Sequence, residues 1–325
     1  MRVLWQALIR RTINKGKRKK SAHWYKHGLA RPSEQLMKTR FSFNPIVLKS
    51  KDQLMNVVKN AFHNYPLLIF WSVVFLISWG VLILFIGVHE FPITEGKAVA
   101  AGMAILLGPS IAGLIFIALT YGLRDPGFRL TKWRVGTVWY TIALFTAPAA
   151  TLISLAVLSY FSAEFNPMHF ISNFNSNALV MAMSAGITVG ILEELGWTGF
   201  AVPKMRARYS LLRTGIGIGL LWGVWHFPLF WQEETFHSAF GFSLLLARLF
   251  SWLPAYRVLM VWVYEHNESL FVTIIMHASL VTTLIIFDPP VQGPALLNFI
   301  LARAFVLWVF VAFITVLKKG GVKTG

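Results

Sequence analysis

Long apolar segments, separated by short polar breaks, make up most of this chain. Eight of them approach the length of about 20 residues that an α-helix needs to cross a bilayer. They cover residues 67–88, 99–123, 137–161, 177–202, 214–231, 242–264, 270–287 and 295–317. The segment at 242–264 is the weakest because Arg248, Pro254 and Arg257 interrupt it. The pattern predicts an all-α fold, a polytopic transmembrane helical bundle of about eight spans that occupies residues 66–318.

Composition supports the membrane prediction. Hydrophobic residues make up 56% of the chain, charged residues 13%, and the mean hydropathy is +0.61, whereas soluble domains average about 25% charged residues. The chain contains no cysteine. It therefore has no disulfide framework, no thiolate metal site and no cysteine nucleophile.

The positive charge is concentrated at the N-terminus. Residues 1–60 carry fifteen Lys or Arg against Glu34 and Asp52, a formal charge of +13 out of +17 for the whole chain. We predict that residues 1–65 form a basic cytoplasmic segment that binds anionic lipid headgroups, and we expect no nucleic-acid partner.

The loops alternate in charge along the chain. Basic loops follow the second, fourth and last apolar segments, and acidic residues occupy the loops between them. The positive-inside rule then predicts eight spans with both termini in the cytoplasm. The loop with Glu265 and Glu268 is an exception, because it is acidic on the predicted cytoplasmic side. We expect an integral, multi-pass protein of a bacterial plasma membrane.

Two of the acidic residues and two of the histidines lie inside apolar segments: Glu193, Glu194, His226 and His277. Burying such a group at the bilayer centre costs about 2.5–3.5 kcal/mol on insertion scales, so these residues are functional by default. Counted from the cytoplasmic helix ends at about 1.5 Å per residue, Glu193, His226 and His277 lie at the same depth, roughly 12–18 Å. The spacing predicts one water-activating site inside the membrane.

Three ordered motifs contain these residues: EELGWTGF at 193–200, WGVWHFP at 222–228 and HAS at 277–279. Together with shorter matches at 108–113 and 133–136, they resemble the CPBP family (CAAX protease and bacteriocin-processing, also called ABI) over residues 100–285. The resemblance implies an intramembrane metalloendopeptidase similar to the CAAX prenyl proteases. Its expected substrate is a membrane-proximal or lipidated peptide, such as a prenylated CAAX-type tail or a bacteriocin leader. We expect the site to open to the cytosol.

The resemblance implies that Glu193 is the base that activates water and that Glu194 is a supporting or shared catalytic ligand. Neutral imidazoles at His226 and His277 bind a divalent metal, commonly zinc, or position the water and the oxyanion directly. The candidate metal ligands are therefore Glu193, His226 and His277.

Two positions depart from the family motifs. Thr198 stands where the family usually has arginine, and Val281 stands where it usually has asparagine. These departures motivate an alternative hypothesis, a catalytically silent family member that acts in bacteriocin immunity or as a membrane scaffold. A proton-coupled carrier is a third hypothesis, because buried Glu and His residues relay protons.

Overall fold

The computed structural model describes Asn56 and residues 60–122, 132–168 and 175–319. The predicted basic segment at residues 1–65 therefore lies almost entirely outside the described residues. The described part contains no strand. Its α-helices are α1 (Pro66–Ile86), α2 (Glu95–Thr120), α3 (Thr137–Ser159), α4 (Ser176–Gly196), α5 (Val202–Arg206), α6 (Leu211–Phe230), α7 (Ala239–Leu246), α8 (Leu253–Asn267), α9 (Leu270–Phe287) and α10 (Gly293–Lys319).

Seven helical segments of the described chain are long and apolar enough to cross a membrane. Two of them combine shorter helices: α4 and α5 form the segment Ser176–Arg206, and α7 and α8 form the segment Ala239–Asn267. Helix α6 has 20 residues and packs antiparallel to the Ala239–Asn267 segment, so it crosses the same depth of the bundle. The prediction of an all-α bundle of about eight spans is confirmed.

Helices α6 and α8 form one closely packed antiparallel pair. A Cβ atom on Gly215, Gly219 or Gly223 would lie 2.2–2.5 Å from atoms of the opposite segment. Glycine therefore permits this approach, and the spacing of four residues places all three on one helix face.

Helices α4 and α9 form a second antiparallel pair. A Cβ on Gly186 would lie 2.4 Å from the carbonyl oxygen of Ala278, and one on Gly190 would lie 2.8 Å from that of Ile274. The site described below lies between the two pairs, because each pair contributes one histidine to it.

Side-chain caps begin the four helices that follow loops around the site. The side chains of Asn175, Ser210, Ser238 and Ser269 accept hydrogen bonds from backbone N–H groups in the first turns of α4, α6, α7 and α9. Such caps satisfy donors that the helix itself leaves unpaired. They are a sequence signal for where these segments start.

The described parts of two basic loops, before α3 and after α5, lie at one end of the bundle, here called the basic end. Arg206, the last residue of α5, pairs with Glu265 of α8 at 2.7 Å, and Lys132 before α3 lies 3.7 Å from Glu268. The hydroxyl of Ser269 donates to the carbonyl oxygen of Lys132. The acidic exception in the loop pattern is thereby explained, because both carboxylates neutralise basic residues of neighbouring loops.

The described loops after α1 and α6 meet at the opposite end of the bundle. Phe91, between α1 and α2, stacks on Trp231 after α6 with ring centroids 6.1 Å apart. Arg303 of α10 donates to Asp288 after α9 at 2.6 Å. The two ends therefore differ in the loops that they assemble, as the alternation of loop charge predicts.

Candidate active site

Glu193 lies in the last turn of α4, and only 2% of its surface is exposed. The indole N–H groups of Trp197 and Trp222 both donate to its Oε2 atom at 2.8 Å. Trp197 follows Glu193 by four residues, so it shares the same helix face. Within the described part of the chain, Oε1 accepts no hydrogen bond. One oxygen of this carboxylate is therefore fixed, and the other is available.

Glu194 has a different environment, although it is the next residue. Arg257 of α8 donates to both of its oxygens, at 2.9 and 3.0 Å. His277 Nδ1 lies 2.7 Å from Oε1, and the hydroxyl of Thr198 donates to Oε2. All four residues are at most 1% exposed. Both oxygens of Glu194 are thus used within the protein, which suits a supporting role and leaves neither for a ligand.

The two histidines are oriented in the same way. His277 Nδ1 contacts the Glu194 carboxylate, and His226 Nδ1 lies 2.9 Å from the carbonyl oxygen of Trp222. Both partners are acceptors, so each Nδ1 carries a hydrogen, an assignment that rests on the hydrogen-bond network. Each ring therefore keeps Nε2 available, an arrangement that is common where imidazoles bind a metal or orient water.

A small cavity of about 90 Å³ joins the predicted residues. Glu193, His226 and His277 all line it, whereas Glu194 does not. The ring of Trp222 contacts both imidazoles, with its centroid 5.5 Å from that of His226 and 5.3 Å from that of His277. The predicted meeting of three separate helices at one level is therefore present in the fold.

The side chains around the cavity do not match a metal site. Among the described residues, no three His, Asp or Glu side chains come close enough together to hold one metal ion. Two indole donors already occupy Glu193 Oε2, and an arginine occupies Glu194. This arrangement does not fit a preformed three-ligand zinc site. Zinc binding therefore stays a prediction.

Both departures from the family motifs are in contact with the site. Val281 lines the cavity with an apolar side chain. The next two threonines do not replace the missing amide, because Thr282 donates to the carbonyl oxygen of Ala182 and Thr283 to that of Ser279. Thr198 donates to Glu194, so it is part of the hydrogen-bond network around that carboxylate.

Arg257 is the main functional residue that the sequence did not identify. It is fully buried, forms both charged hydrogen bonds to Glu194, and stacks on Trp222 at 4.5 Å from the ring centroid. A signal was present, because an arginine inside an apolar segment needs a carboxylate partner. Arg248 carries the same signal, but it is only half-buried and lies over the ring of Phe230.

A π-helical turn follows the two glutamates, at Trp197–Ala201, and another precedes Trp252, at Ala247–Ser251. Such turns occur often at functional sites because they shift the side chains that follow around the helix axis. Here the first turn includes Trp197 and Thr198, which contact Glu193 and Glu194 respectively.

The similarity of this chain to known proteins covers the helices that form the site. Residues 175–283 match the family described as type II CAAX prenyl endopeptidase Rce1-like. A curated relative, CAAX prenyl protease 2 of Methanococcus maripaludis, is 29% identical over 137 residues. That match covers 40% of this chain and 49% of the relative, so the chain spans about half of the relative's length. The helices of this chain that carry the motifs are therefore similar to the CAAX protease (CPBP) family.

Proposed function

We propose that this protein is an intramembrane endopeptidase that uses Glu193 to activate water. One observation carries the proposal: a buried carboxylate with a free oxygen shares a cavity with two imidazoles whose Nδ1 atoms are already engaged. Peptide hydrolysis needs a base, a positioned water and stabilisation of an oxyanion. The cavity supplies a candidate group for each requirement.

In the proposed mechanism, a water in the cavity attacks the carbonyl carbon of the peptide through its oxygen. Glu193 Oε1 accepts a proton from this water as the attack occurs. The imidazole Nε2 atoms hold the water as acceptors and, when the ring is protonated, donate to the developing oxyanion. The C–N bond then breaks, and Glu193 returns the proton to the leaving amine. Glu194, held by Arg257, fixes the orientation of His277.

The proposed substrate is a membrane-proximal or lipidated peptide. The curated relative is named for prenylated CAAX substrates, and a site between membrane-spanning helices supports a substrate that is itself anchored in the bilayer. A prenylated tail and a bacteriocin leader both meet that description. Anionic lipids remain the proposed partner of the basic residues at 1–65.

The test uses the full chain purified in detergent and a library of membrane-tethered peptides, with cleavage sites mapped by mass spectrometry. We expect cleavage by the wild-type protein and its loss in Glu193→Gln at unchanged thermal stability. Bound metal is measured on the same samples. Equal cleavage by both proteins would contradict the role of Glu193, and the metal content decides whether zinc takes part.

Val281 favours a second candidate, a silent family member that acts by binding. An amide donor is replaced by an apolar wall at the cavity, which weakens oxyanion stabilisation while the Glu194 network is retained. In that case Glu193→Gln would preserve the biological effect of the protein in cells. A lost effect in this variant supports the peptidase.

A further inference from the structure

A second cavity lies at the basic end of the bundle, between the ends of α2, α5 and α8. Its wall includes Tyr121, Arg206, Tyr264, Glu265 and Glu268, and it is here called the interfacial cavity. Its volume is about 340 Å³, within the range of small-molecule sites, roughly 300–1,000 Å³. Among the described residues, none lines both this cavity and the one that contains the glutamate and histidine side chains of the site above. The peptidase function proposed above therefore gives it no role.

The interfacial cavity lies where three helical segments reach the boundary of the membrane. Tyr121 follows the last residue of α2, and Arg206 is the last residue of α5. Glu265 lies in the last turn of α8, and Glu268 follows that helix. Tyrosine is enriched at membrane–water interfaces, where its ring meets the headgroups. The two tyrosines of the wall and the helix ends thus place the cavity at the level of lipid headgroups.

The charges around the interfacial cavity form two poles on different helices. The wall itself contains one guanidinium, that of Arg206 on α5, and two carboxylates, those of Glu265 and Glu268 at the end of α8. A second cation of α5 lies beside it, because Lys204 Nζ is 5.5 Å from the ring centroid of Tyr121. The α5 side is therefore positive, and the α8 side is negative.

Contacts within the chain leave room for a ligand at both poles. Among the described residues, no carboxylate lies within ion-pair distance of Lys204, and its ammonium contacts aromatic rings. Glu268 lies 3.7 Å from Lys132, with side chains 51% and 44% exposed. That distance exceeds the usual 2.7–3.2 Å of a hydrogen bond, and such exposed pairs are weak. A ligand can therefore replace Lys132 beside this carboxylate.

The two poles select one kind of headgroup. An anionic headgroup that lacks an amine is repelled by the two carboxylates of the wall. A choline headgroup carries a positive charge, but it has no N–H group to donate to them. A phosphate that is linked to a primary ammonium matches both poles and forms charge-assisted hydrogen bonds at each.

We propose that the interfacial cavity binds the headgroup of a phosphatidylethanolamine lipid. Lys204 and Arg206 bind the phosphate, and Glu265 and Glu268 accept hydrogen bonds from the ammonium. The acyl chains stay in the hydrocarbon region beside α2 and α5. The inference does not depend on the proposed peptidase function. Because the lipid joins α5 to α8, its binding stabilises the folded bundle.

The test is a lipid titration of the full chain, purified in detergent and freed of lipid, with binding measured by native mass spectrometry. The probes are phosphatidylethanolamine, phosphatidylglycerol and phosphatidylcholine with identical acyl chains. We expect phosphatidylethanolamine to bind most tightly, by about fivefold, the factor that one charge contact at a membrane surface contributes. It should also raise Tm more than the other two lipids at equal concentration.

Two variants separate the poles. Lys204→Gln should weaken phosphatidylethanolamine and phosphatidylglycerol alike, by about fivefold, because both contain the phosphate. Glu265→Gln combined with Glu268→Gln should weaken only phosphatidylethanolamine, so the preference for it over phosphatidylglycerol is lost. Retained binding of phosphatidylglycerol shows that this variant is folded. If the double variant does not fold, Glu268→Gln alone takes its place, since that side chain is 51% exposed.

The matched controls are Arg208→Gln for the cation and Glu233→Gln for the carboxylates. Both residues are exposed, neither lines the interfacial cavity, and each substitution changes the net charge by one unit. We expect both variants to bind the three lipids as the wild type does.

Three results overturn the inference. The first is equal affinity of the wild type for the three lipids. The second is an equal loss of binding in Lys204→Gln and Arg208→Gln, which would show a general effect of charge. The third is an unchanged lipid preference after the glutamate substitutions. Soluble glycerophosphoethanolamine distinguishes the source of the headgroup. We expect it to leave the lipid bound at equal concentration, and displacement would assign the cavity to a soluble ligand and overturn the lipid assignment.

Discussion

Glu193 and Glu194 are adjacent in sequence and both are buried, yet their surroundings have little in common. Glu193 faces a cavity and receives two neutral indole donors on a single oxygen. Glu194 faces a packed layer and receives a bidentate arginine, a histidine and a threonine on both oxygens. Adjacent residues on a helix point about 100° apart, which is why one turn of α4 serves both environments.

The two environments suit the two carboxylates to different roles, Glu193 to proton transfer and Glu194 to holding its neighbours in place. A carboxylate that keeps one free oxygen beside water-sized space can exchange a proton with a bound molecule. A carboxylate with every acceptor position filled holds its neighbours in place, and here that neighbour is the imidazole of His277. Substitutions on the two sides of α4 should therefore have different effects, one on rate and the other on stability.

The largest expected effect on rate is that of Glu193→Gln. The amide keeps the shape of the side chain and an acceptor oxygen for the indoles, but it cannot take a proton from water. Loss of a general base typically costs about 10²–10⁴ in rate. We expect a fall of that size in kcat with a small change in Tm, measured by peptide cleavage and by thermal denaturation of the purified protein.

Glu194→Gln is the matched comparison for that variant. It should lower Tm markedly, because Arg257 keeps a buried charge with a weakened partner. Equal losses of rate and equal changes of Tm in the two variants would contradict the division between chemistry and support.

The largest expected effect on stability is that of Arg257→Met. Removing one partner of a buried ion pair leaves an uncompensated charge and costs about 3–5 kcal/mol. We therefore expect a strong loss of folded protein in the membrane and a lower Tm for what remains. The double variant Arg257→Met with Glu194→Gln should recover much of the loss, because no unpaired charge is left.

The Arg206–Glu265 pair at the basic end is the control for charge pairing itself. Its side chains are 26% and 29% exposed, and partly exposed pairs contribute roughly 0–1 kcal/mol. Glu265→Gln should change Tm little. A loss as large as that of Arg257→Met would show that burial is not what distinguishes the two pairs.

The sequence was sufficient to predict which ionisable residues line the cavity. Apolar length predicted the spans, and the rarity of Glu and His inside them identified Glu193, His226 and His277. Of the residues that support the site, the sequence identified Glu194 and His277 but not Arg257. Arg257 lies on another helix, 63 residues away from Glu194 in the chain. A long-range pair between a helix terminus and a broken span leaves no periodic pattern.

A smaller effect is expected when the family arginine is restored. Thr198→Arg would bring a second guanidinium to a carboxylate that Arg257 already holds, inside a packed layer where overpacking costs about 1–3 kcal/mol. Combined with Arg257→Met, the same substitution should be less harmful than either change alone, since one arginine again serves Glu194. The measurement is a double-mutant cycle on Tm. Additive losses would show that the two positions do not supply the same interaction.

The smallest expected effect is that of Val281→Asn, on the cavity side. Position 281 follows His277 by four residues, so the new amide would share the helix face of that imidazole and could donate to an oxyanion in the cavity. In a site not adapted to the amide, we expect a gain of up to about tenfold in kcat, near 1.4 kcal/mol of barrier. Val281→Thr, which is similar in shape and carries a hydroxyl, should give a smaller gain, and Val281→Leu none.

Cleavage rates at saturating peptide measure the series. An equal rate in all four proteins would remove Val281 from the oxyanion argument. No cleavage in any of them, with the cellular effect intact, would favour the silent binding protein, because a peptidase limited by one missing donor should respond when the donor is returned.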